Sequence, residues 1–189
     1  MADVGHLLLN RDDSVLILVD IQTRLLAAMP AEAARTMLDN SARLLAAAQL
    51  LKVPVLLTEQ YPQGLGPTDA AILDKLPENC PRLAKSGFSC RAAQGFDAGL
   101  TAANRRQVIL LGQETHVCVL QTAIELLGQD YHVFVVDDAV CARSEAHKQN
   151  ALVRLRSAGV DIVNHESVLF EWLRDAAHPH FKTLSKMLR

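Results

Sequence analysis

The sequence predicts an α/β protein in which helices cover both faces of a mostly parallel, six-stranded sheet. Two observations predict this fold class. Short apolar runs alternate with longer segments of helical periodicity, which indicates strands joined by crossover helices. The first run, residues 14–20, is almost wholly apolar, as expected of a strand buried on both faces. The expected strand order is 3-2-1-4-5-6.

The first half of the chain carries the first three predicted strands and one long helix. Residues 31–51 repeat small and apolar side chains along one side of a helix. Residues 53–58 form the second strand, where Pro54 stands near the beginning and its missing N–H is tolerated. We expect a loop rich in proline and glycine over residues 61–68, and a short third strand at residues 82–85.

The second half continues the alternation. The apolar run 107–112 predicts the fourth strand, and the periodic segment 118–128 predicts a helix. Gly159 ends a further helix, because glycine is common just past helix C-termini. The other predicted elements are a strand at residues 131–136, that helix at residues 144–158, a strand at residues 160–163, and a helical tail over residues 166–189 in two pieces around Pro179.

Composition excludes several classes of protein. The 189 residues fit a single domain over residues 1–189, and 50% hydrophobic content is typical of a globular chain. With a net charge of -2 and no basic stripe, we expect no nucleic-acid partner. No apolar run approaches the roughly 18 residues of a membrane span, and residues 1–6 do not resemble a signal peptide. Four scattered cysteines without a CxxC motif favour a reducing compartment, so we expect a cytoplasmic protein.

Three residues could carry chemistry near the carboxyl ends of these strands, where parallel sheets bind ligands. Asp20 ends the first strand, Lys85 ends the third, and Cys118 lies just past the fourth at the start of a predicted helix. A helix N-terminus and a nearby ammonium would both favour a thiolate. Each residue alone also has an ordinary interpretation, as a strand-end cap, a solvated lysine and a small core side chain respectively.

Taken together, three motifs resemble the isochorismatase-like hydrolase superfamily. They are residues 18–22 (LVDIQ), residues 85–89 (KSGFS) and residues 112–119 (GQETHVCV) followed by Thr122 and Ala123, and the resemblance covers residues 13–165. It implies a three-layer Rossmann-like fold and a catalytic triad of Asp20, Lys85 and Cys118. It also implies a cis peptide bond at Gln113–Glu114 and an oxyanion hole made by the backbone N–H groups of Glu114 and Cys118. The implied reaction is attack of the cysteine on an amide or related carbonyl, followed by hydrolysis of a thioester.

The sequence departs from two kinds of relative. Nicotinamidase-type members bind zinc through an Asp-x-His element and a later histidine after the second strand, and residues 58–66 contain no histidine. We therefore expect no metal and no cofactor. True isochorismatases cleave a vinyl ether without a cysteine nucleophile, so Cys118 argues against that reaction. Residues 58–62 look instead like the small isochorismatase-domain hydrolases whose substrates are mostly unassigned.

The substrate itself is not identified by the sequence beyond a small molecule. Residues near the three motifs are candidate substrate contacts: Gln22, Leu25, Tyr61, Leu65, Phe88 and His116. We expect a homo-oligomer. Two other hypotheses stay open, namely a catalytically idle interaction protein of the same fold, and a thiol-redox sensor in which Cys90 or Cys141 resolves oxidised Cys118.

Overall fold

The computed structural model describes residues 7–78 and 80–188, which form one six-stranded sheet in the order β3-β2-β1-β4-β5-β6. The expectations about residues 1–6 and about Arg189 lie outside this range. The strands are β1 Ser14–Val19, β2 Val55–Gln60, β3 Arg82–Lys85, β4 Gln107–Gln113, β5 His132–Cys141 and β6 Asp161–Val163. Neighbouring strands are all parallel.

Helices cover both faces of this sheet. They are α1 Thr23–Leu26, α2 Ala31–Leu51, α3 Pro62–Leu65, α4 Ala70–Leu73, α5 Phe96–Ala103, α6 Leu120–Leu127, α7 Glu145–Ala158, α8 His165–Leu173 and α9 Phe181–Lys186. A 3-10 turn spans Cys90–Ala92, and a π-helical turn spans Thr115–Val119 just before α6. Among the described residues, no helix is both long and apolar enough to cross a membrane.

The core lies in two layers, one on each side of the sheet. Alternate residues of β1 supply both layers, because successive side chains of a strand point to opposite faces. Leu16 and Leu18 pack with α2 and α8, whereas Val15, Ile17 and Val19 pack with α5, α6 and α7. This arrangement and the strand order confirm the predicted fold class.

Several boundaries differ from the sequence predictions. The loop expected over residues 61–68 contains α3, and β2 runs two residues further than expected, to Gln60. Strand β5 continues to Cys141, beyond the end expected at residue 136. There the pairing of β4 with β5 shifts register between Leu110 and Gly112, which absorbs the extra residues in an irregularity of the ladder.

Candidate active site

The carboxyl ends of four adjacent strands bring together the residues that the sequence predicted. Asp20 follows β1 directly, Lys85 is the last residue of β3, and Cys118 lies in the π-helical turn after β4. Strand β2 separates β1 from β3, and its end is paired so that Gln60 stands beside Lys85. The strand order therefore collects residues that are far apart in the chain at one edge of the sheet.

Lys85 joins Asp20 to Cys118. Its Nζ lies 2.7 Å from Asp20 Oδ2 and 3.6 Å from Cys118 Sγ. The side chains of Asp20 and Lys85 are both fully buried. Burying a charge is costly unless it is paired, and here each charge compensates the other. Lys85 is thus the buried partner of a carboxylate and a thiol, not a solvated surface lysine.

The Lys85 ammonium has further acceptors. It donates to Gln60 Oε1 at 2.6 Å and to the carbonyl oxygens of Phe88 at 2.9 Å and Gly87 at 3.3 Å. The segment after β3 therefore curls around the ammonium. An ammonium can only donate hydrogen bonds, and each of these contacts supplies it with an acceptor.

Asp20 is held in an unusual backbone conformation, with φ 51. Aspartate tolerates this left-handed region better than most residues. Its N–H donates to the Thr58 carbonyl at 3.1 Å, and its own carbonyl accepts from Gln113 Nε2 at 3.1 Å. Thr58 Oγ1 donates to Asp20 Oδ1 at 2.8 Å, so each carboxylate oxygen has a donor of its own.

Cys118 differs from the expected thiolate. The pKa of its thiol is raised to about 12, chiefly by burial and next by the Asp20 charge, and the Lys85 charge offsets these effects only in part. The sulfur is therefore protonated at neutral pH, and the expectation of a resting thiolate is wrong. The expected position at the start of an α-helix is also wrong, since Cys118 is the fourth residue of the π-helical turn and α6 begins at Leu120.

Glu114 precedes the π-helical turn that contains Cys118, and both residues carry a backbone N–H. The Gln113–Glu114 peptide bond is cis. Among the described residues, the N–H groups of Glu114 and Cys118 make no hydrogen bond to a residue outside their own turn. The Glu114 side chain points to Arg143, whose Nε donates to Glu114 Oε2 at 3.0 Å. Its carboxylate is thus engaged with the segment before α7.

Two of the candidate substrate contacts have other roles. Gln22 is fully buried, and its amide nitrogen donates to the carbonyls of Gln60 and Gly66 while its amide oxygen accepts from the Gln60 N–H. It therefore ties the end of β1 to the segment after β2. His116 lies against His147 of α7 in a tilted ring contact with centroids 4.8 Å apart, and burial lowers its pKa. Substrate contact by Gln22 and His116 stays a prediction.

The other four candidates lie on the segments that follow β1, β2 and β3. Tyr61 follows β2, and its N–H donates to the Lys85 carbonyl, whereas Phe88 supplies a carbonyl to the ammonium. Both rings are exposed, at 57% and 53% respectively. Leu25 on α1 and Leu65 on α3 are half-buried. Exposed aromatic rings are suited to contact a ligand or a second chain.

Sequence reasoning missed the polar residues that support the pair. Thr58 and Gln60 lie two apart on β2, a spacing that places side chains on one face of a strand. Thr122 on α6 accepts from the Cys90 N–H at 2.9 Å and donates to the Cys118 carbonyl at 2.7 Å. Residues 58–60 are all polar, so the sequence does not separate the two that face the ion pair from Glu59 between them. Thr122 belongs to the third motif of the resemblance, but only the structure shows its hydrogen bonds to Cys90 and Cys118.

Across residues 7–78 and 80–188, no group of three histidine, cysteine, aspartate or glutamate side chains is arranged to hold a metal ion. The cysteines of this range are all free thiols.

Comparison with known proteins identifies relatives over nearly the whole chain. The family model for the isochorismatase domain matches residues 14–167. The isochorismatase domain-containing protein 2 of Danio rerio is 37% identical over 188 residues, which is 100% of this chain and 92% of the relative. These values establish a relationship over the sheet, the helices and all three motifs.

Solved structures agree with the sequence comparison. A MAR1 ribonuclease from Caenorhabditis elegans superposes with a TM-score of 0.88 and 34% identity, covering 95% of this chain and 91% of the other. YcaC from Pseudomonas aeruginosa, solved with hexane-2,5-diol and covalent acrylamide, gives a TM-score of 0.86 at 26% identity, with coverage of 96% and 90%. The Escherichia coli YcaC product, described as an octameric hydrolase of unknown specificity, gives 0.83 at 25% identity and covers 96% of each chain.

Proposed function

The chain belongs to the isochorismatase family, and on this basis we propose that it is a cysteine-dependent hydrolase of a small amide or related acyl compound. In this proposal Cys118 is the nucleophile, Asp20 is the general base and acid, and Lys85 stabilises the charges of both. The observation that carries the proposal is the position of the Lys85 ammonium, 2.7 Å from the Asp20 carboxylate and 3.6 Å from the Cys118 sulfur.

The acylation half of the reaction begins from a neutral thiol. Because the pKa of Cys118 is about 12, attack requires that Asp20 accept the thiol proton as the bond from sulfur to the carbonyl carbon forms. The carbonyl oxygen becomes an oxyanion, for which the N–H groups of Glu114 and Cys118 are the proposed donors. Asp20 then passes the proton to the leaving nitrogen, the C–N bond breaks, and a thioester remains on Cys118.

The deacylation half uses the same groups in reverse. Asp20 accepts a proton from a water molecule whose oxygen attacks the thioester carbonyl. The second tetrahedral intermediate collapses, the C–S bond breaks, and the proton returns from Asp20 to the sulfur. The product is a carboxylic acid, and Lys85 takes no part in the proton transfers of this scheme.

A substrate screen tests the proposal. Purified protein is incubated with a panel of small primary and secondary amides, and released ammonia or amine is quantified beside the Cys118→Ala variant. A matched control is Cys80→Ala, which removes a half-buried thiol after α4 that hydrogen-bonds the Val55 carbonyl. We expect at least one amide to be hydrolysed by wild type and by Cys80→Ala but not by Cys118→Ala. Equal turnover by all three proteins would exclude Cys118 as the nucleophile.

A second candidate substrate is RNA, which the name of the Caenorhabditis elegans neighbour suggests for that protein. The net charge of -2 does not favour binding to a polyanion. The screen therefore includes a labelled single-stranded RNA. RNA cleavage that survives in Cys118→Ala while every amide is left intact would replace the acyl-hydrolase proposal.

Assembly into a homo-oligomer belongs to the proposal as well. One structural neighbour is described as octameric. The exposed apolar residues of this chain include Tyr61, Phe88, Ile124 and Val153. Burying such side chains between copies stabilises an assembly. The redox-sensor alternative is less favoured by the structure's chemistry, since burial raises the pKa of the Cys90 and Cys141 thiols to about 11 and about 12.

A further inference from the structure

Strand β2 ends with three polar residues that alternate between the two faces of the sheet. Thr58 Oγ1 reaches Asp20 and Gln60 Oε1 reaches Lys85, both at the candidate site. Glu59 between them points the other way and accepts from the N–H and the hydroxyl of Thr68. The strand geometry thus assigns positions 58 and 60 to the ion pair and position 59 to a loop anchor.

Thr58 completes the environment of the carboxylate. Asp20 Oδ2 receives the Lys85 ammonium at 2.7 Å, and Oδ1 receives the Thr58 hydroxyl at 2.8 Å. An ionised carboxylate can only accept, so the threonine must be the donor. This hydrogen bond fixes the plane of the carboxylate. It also weakens the electrostatic effect of the carboxylate's negative charge on the Cys118 sulfur.

Gln60 competes with the sulfur for the ammonium. Lys85 has three ammonium protons, and its three shortest contacts are Gln60 Oε1 at 2.6 Å, Asp20 Oδ2 at 2.7 Å and the Phe88 carbonyl at 2.9 Å. Cys118 Sγ at 3.6 Å lies beyond all three. A Cys118 thiolate therefore receives a direct hydrogen bond from Lys85 only when one of the nearer acceptors loses its own.

We propose that Thr58 and Gln60 are positioning residues that hold the Asp20–Lys85 pair from β2 and set, with opposite signs, how readily Cys118 loses its proton. The inference rests on the proposed function of these three residues. Thr58 favours ionisation of the sulfur by reducing the field of the carboxylate. Gln60 opposes ionisation of the sulfur because it accepts a hydrogen bond that the ammonium could otherwise donate to the sulfur. Nothing in this scheme requires either side chain to touch the substrate.

The charged and titratable groups that act on Cys118 come from three elements. They are Asp20 after β1, Lys85 at the end of β3, and Cys90 in the 3-10 turn, which is itself a neutral buried thiol. Gln60 touches Lys85, whereas Thr58 touches Asp20 and its Oγ1 also lies 3.5 Å from Cys90 Sγ. A change at Gln60 therefore reaches the sulfur through the ion pair, and a change at Thr58 reaches it through the ion pair and through Cys90.

The test measures alkylation of Cys118 by iodoacetamide between pH 7 and 9, with each cysteine quantified by peptide mass spectrometry. In Gln60→Met, one ammonium N–H becomes free to donate a hydrogen bond to the sulfur. We expect alkylation of Cys118 to be about tenfold faster at each pH. In Gln60→Glu, the added carboxylate holds the ammonium more strongly and labelling slows. In Thr58→Val, the unscreened Asp20 charge also slows labelling, whereas Thr58→Ser keeps the hydroxyl and restores the rate.

Controls separate these effects from loss of structure. Gln149→Met and Thr101→Val make the same changes on the exposed surfaces of α7 and α5 and should leave the rate unchanged. Cys141 is buried, so its labelling reports general loosening of the fold. Faster alkylation of Cys141 together with Cys118 in both Gln60→Met and Thr58→Val would show a merely structural role and overturn the inference.

Two further outcomes decide between the inference and the proposed function. The alkylation rate of Cys118 could change in Asp20→Asn and Lys85→Met but equal the wild-type rate in all four β2 variants. In that case the triad stands and the positioning role is overturned. If Cys118 labelling responds to none of these changes, the proposed function itself fails. Opposite shifts in Gln60→Met and Thr58→Val, confined to Cys118, support both.

Discussion

At the scale of single residues, Asp20 has two opposing effects on Cys118. Its negative charge adds to burial in raising the pKa of the thiol, which keeps the sulfur neutral at rest. In the proposed mechanism, the same carboxylate removes the proton when a substrate arrives. A neutral resting thiol is less open to adventitious alkylation and oxidation than a thiolate. Activation is thereby coupled to the formation of the bond to carbon.

Substitution of Asp20 separates the two effects. In Asp20→Asn, the charge that opposes ionisation is lost while Lys85 remains, so the pKa of Cys118 falls. We expect labelling by iodoacetamide at pH 8 to be faster by about tenfold or more, whereas hydrolysis of any accepted amide is lost with the base. Slower labelling together with retained hydrolysis would contradict this account of Asp20.

Lys85 is predicted to matter for stability as well as reactivity. Lys85→Met leaves the Asp20 carboxylate fully buried without its cation. Removing one partner of a buried ion pair typically costs about 3–5 kcal/mol in the free energy of unfolding. Urea denaturation of this variant beside Lys182→Met, which changes an exposed lysine of α9, measures the cost. Equal midpoints for the two variants would mean that the pair does not support the fold.

At the scale of elements, the junction of β1 with β4 depends on Gly112. Its φ is 114, and a Cβ added there would lie 2.1 Å from the Val19 carbonyl oxygen. Adjacent to it, the pairing with β5 shifts register. The close backbone approach sets the direction in which the chain leaves β4 toward Cys118.

Gly112→Ala is therefore expected to lower the free energy of unfolding by about 3 kcal/mol or more, through both the clash and the strained φ. Gly128→Ala is the matched control, because the nearest atoms to its added Cβ are at 3.5 Å, an ordinary contact. That control should change stability by no more than about 1 kcal/mol. Thermal unfolding of the two variants compares them directly, and a smaller loss in Gly112→Ala than in the control would be contrary to expectation.

A carboxylate–histidine pair joins β5 to the start of α8. Asp138 Oδ1 accepts from the His165 N–H at 2.8 Å, and Oδ2 lies 2.6 Å from His165 Nδ1. Burial alone would raise the pKa of Asp138, but the hydrogen bonds and charge of His165 outweigh it and hold the pKa below 3.8. A depressed carboxyl pKa stabilises the fold above its unfolded value, and that contribution is lost as pH falls through the folded value.

Asp138→Asn should accordingly reduce the free energy of unfolding by about 1 kcal/mol at pH 6. The difference from wild type should shrink toward pH 3 and below, where the wild-type carboxyl becomes protonated. Urea titrations at the two pH values give the comparison. A difference that is the same at both pH values, or larger at pH 3, would exclude the carboxylate–histidine pair as its source.

For the molecule as a whole, the fold could be predicted from the apolar runs that recur along the chain. Long apolar runs mark the central strands, so their order and the placement of Asp20 and Cys118 followed from a parallel sheet. The burial of Lys85 could not be read locally, since lysine is ordinarily exposed. Thr58 and Gln60 were missed because β2 ends in three polar residues, and only the folded sheet shows which of them face the ion pair.

The thiolate expectation failed for a related reason. A helix N-terminus and a lysine can be inferred from sequence, but the depth at which a sulfur is buried depends on packing between elements. Here burial dominates, and the turn before α6 is π-helical instead of the start of a regular α-helix. The direction of a pKa shift at such a site is decided by tertiary structure.

Exposed apolar residues near and far from the site predict self-association. Phe88 and Tyr61 flank Lys85, and Ile124 and Val153 lie on α6 and α7. We expect sedimentation velocity to show a species heavier than the 20.7 kDa chain at micromolar concentration. Phe88→Ser should weaken the assembly if the rings beside the site are part of the contact. A monomer that persists at high concentration would contradict the expected assembly.

The most direct measurement of the central claim is trapping of the acyl-enzyme. Wild-type protein is mixed with an amide identified by the screen, quenched in acid during turnover, digested, and analysed by mass spectrometry. The account predicts a mass increase equal to the substrate's acyl group on the peptide that contains Cys118, and no such adduct in Cys118→Ala. Turnover without any adduct on that peptide, or with the adduct on Cys80, Cys90 or Cys141, would contradict it.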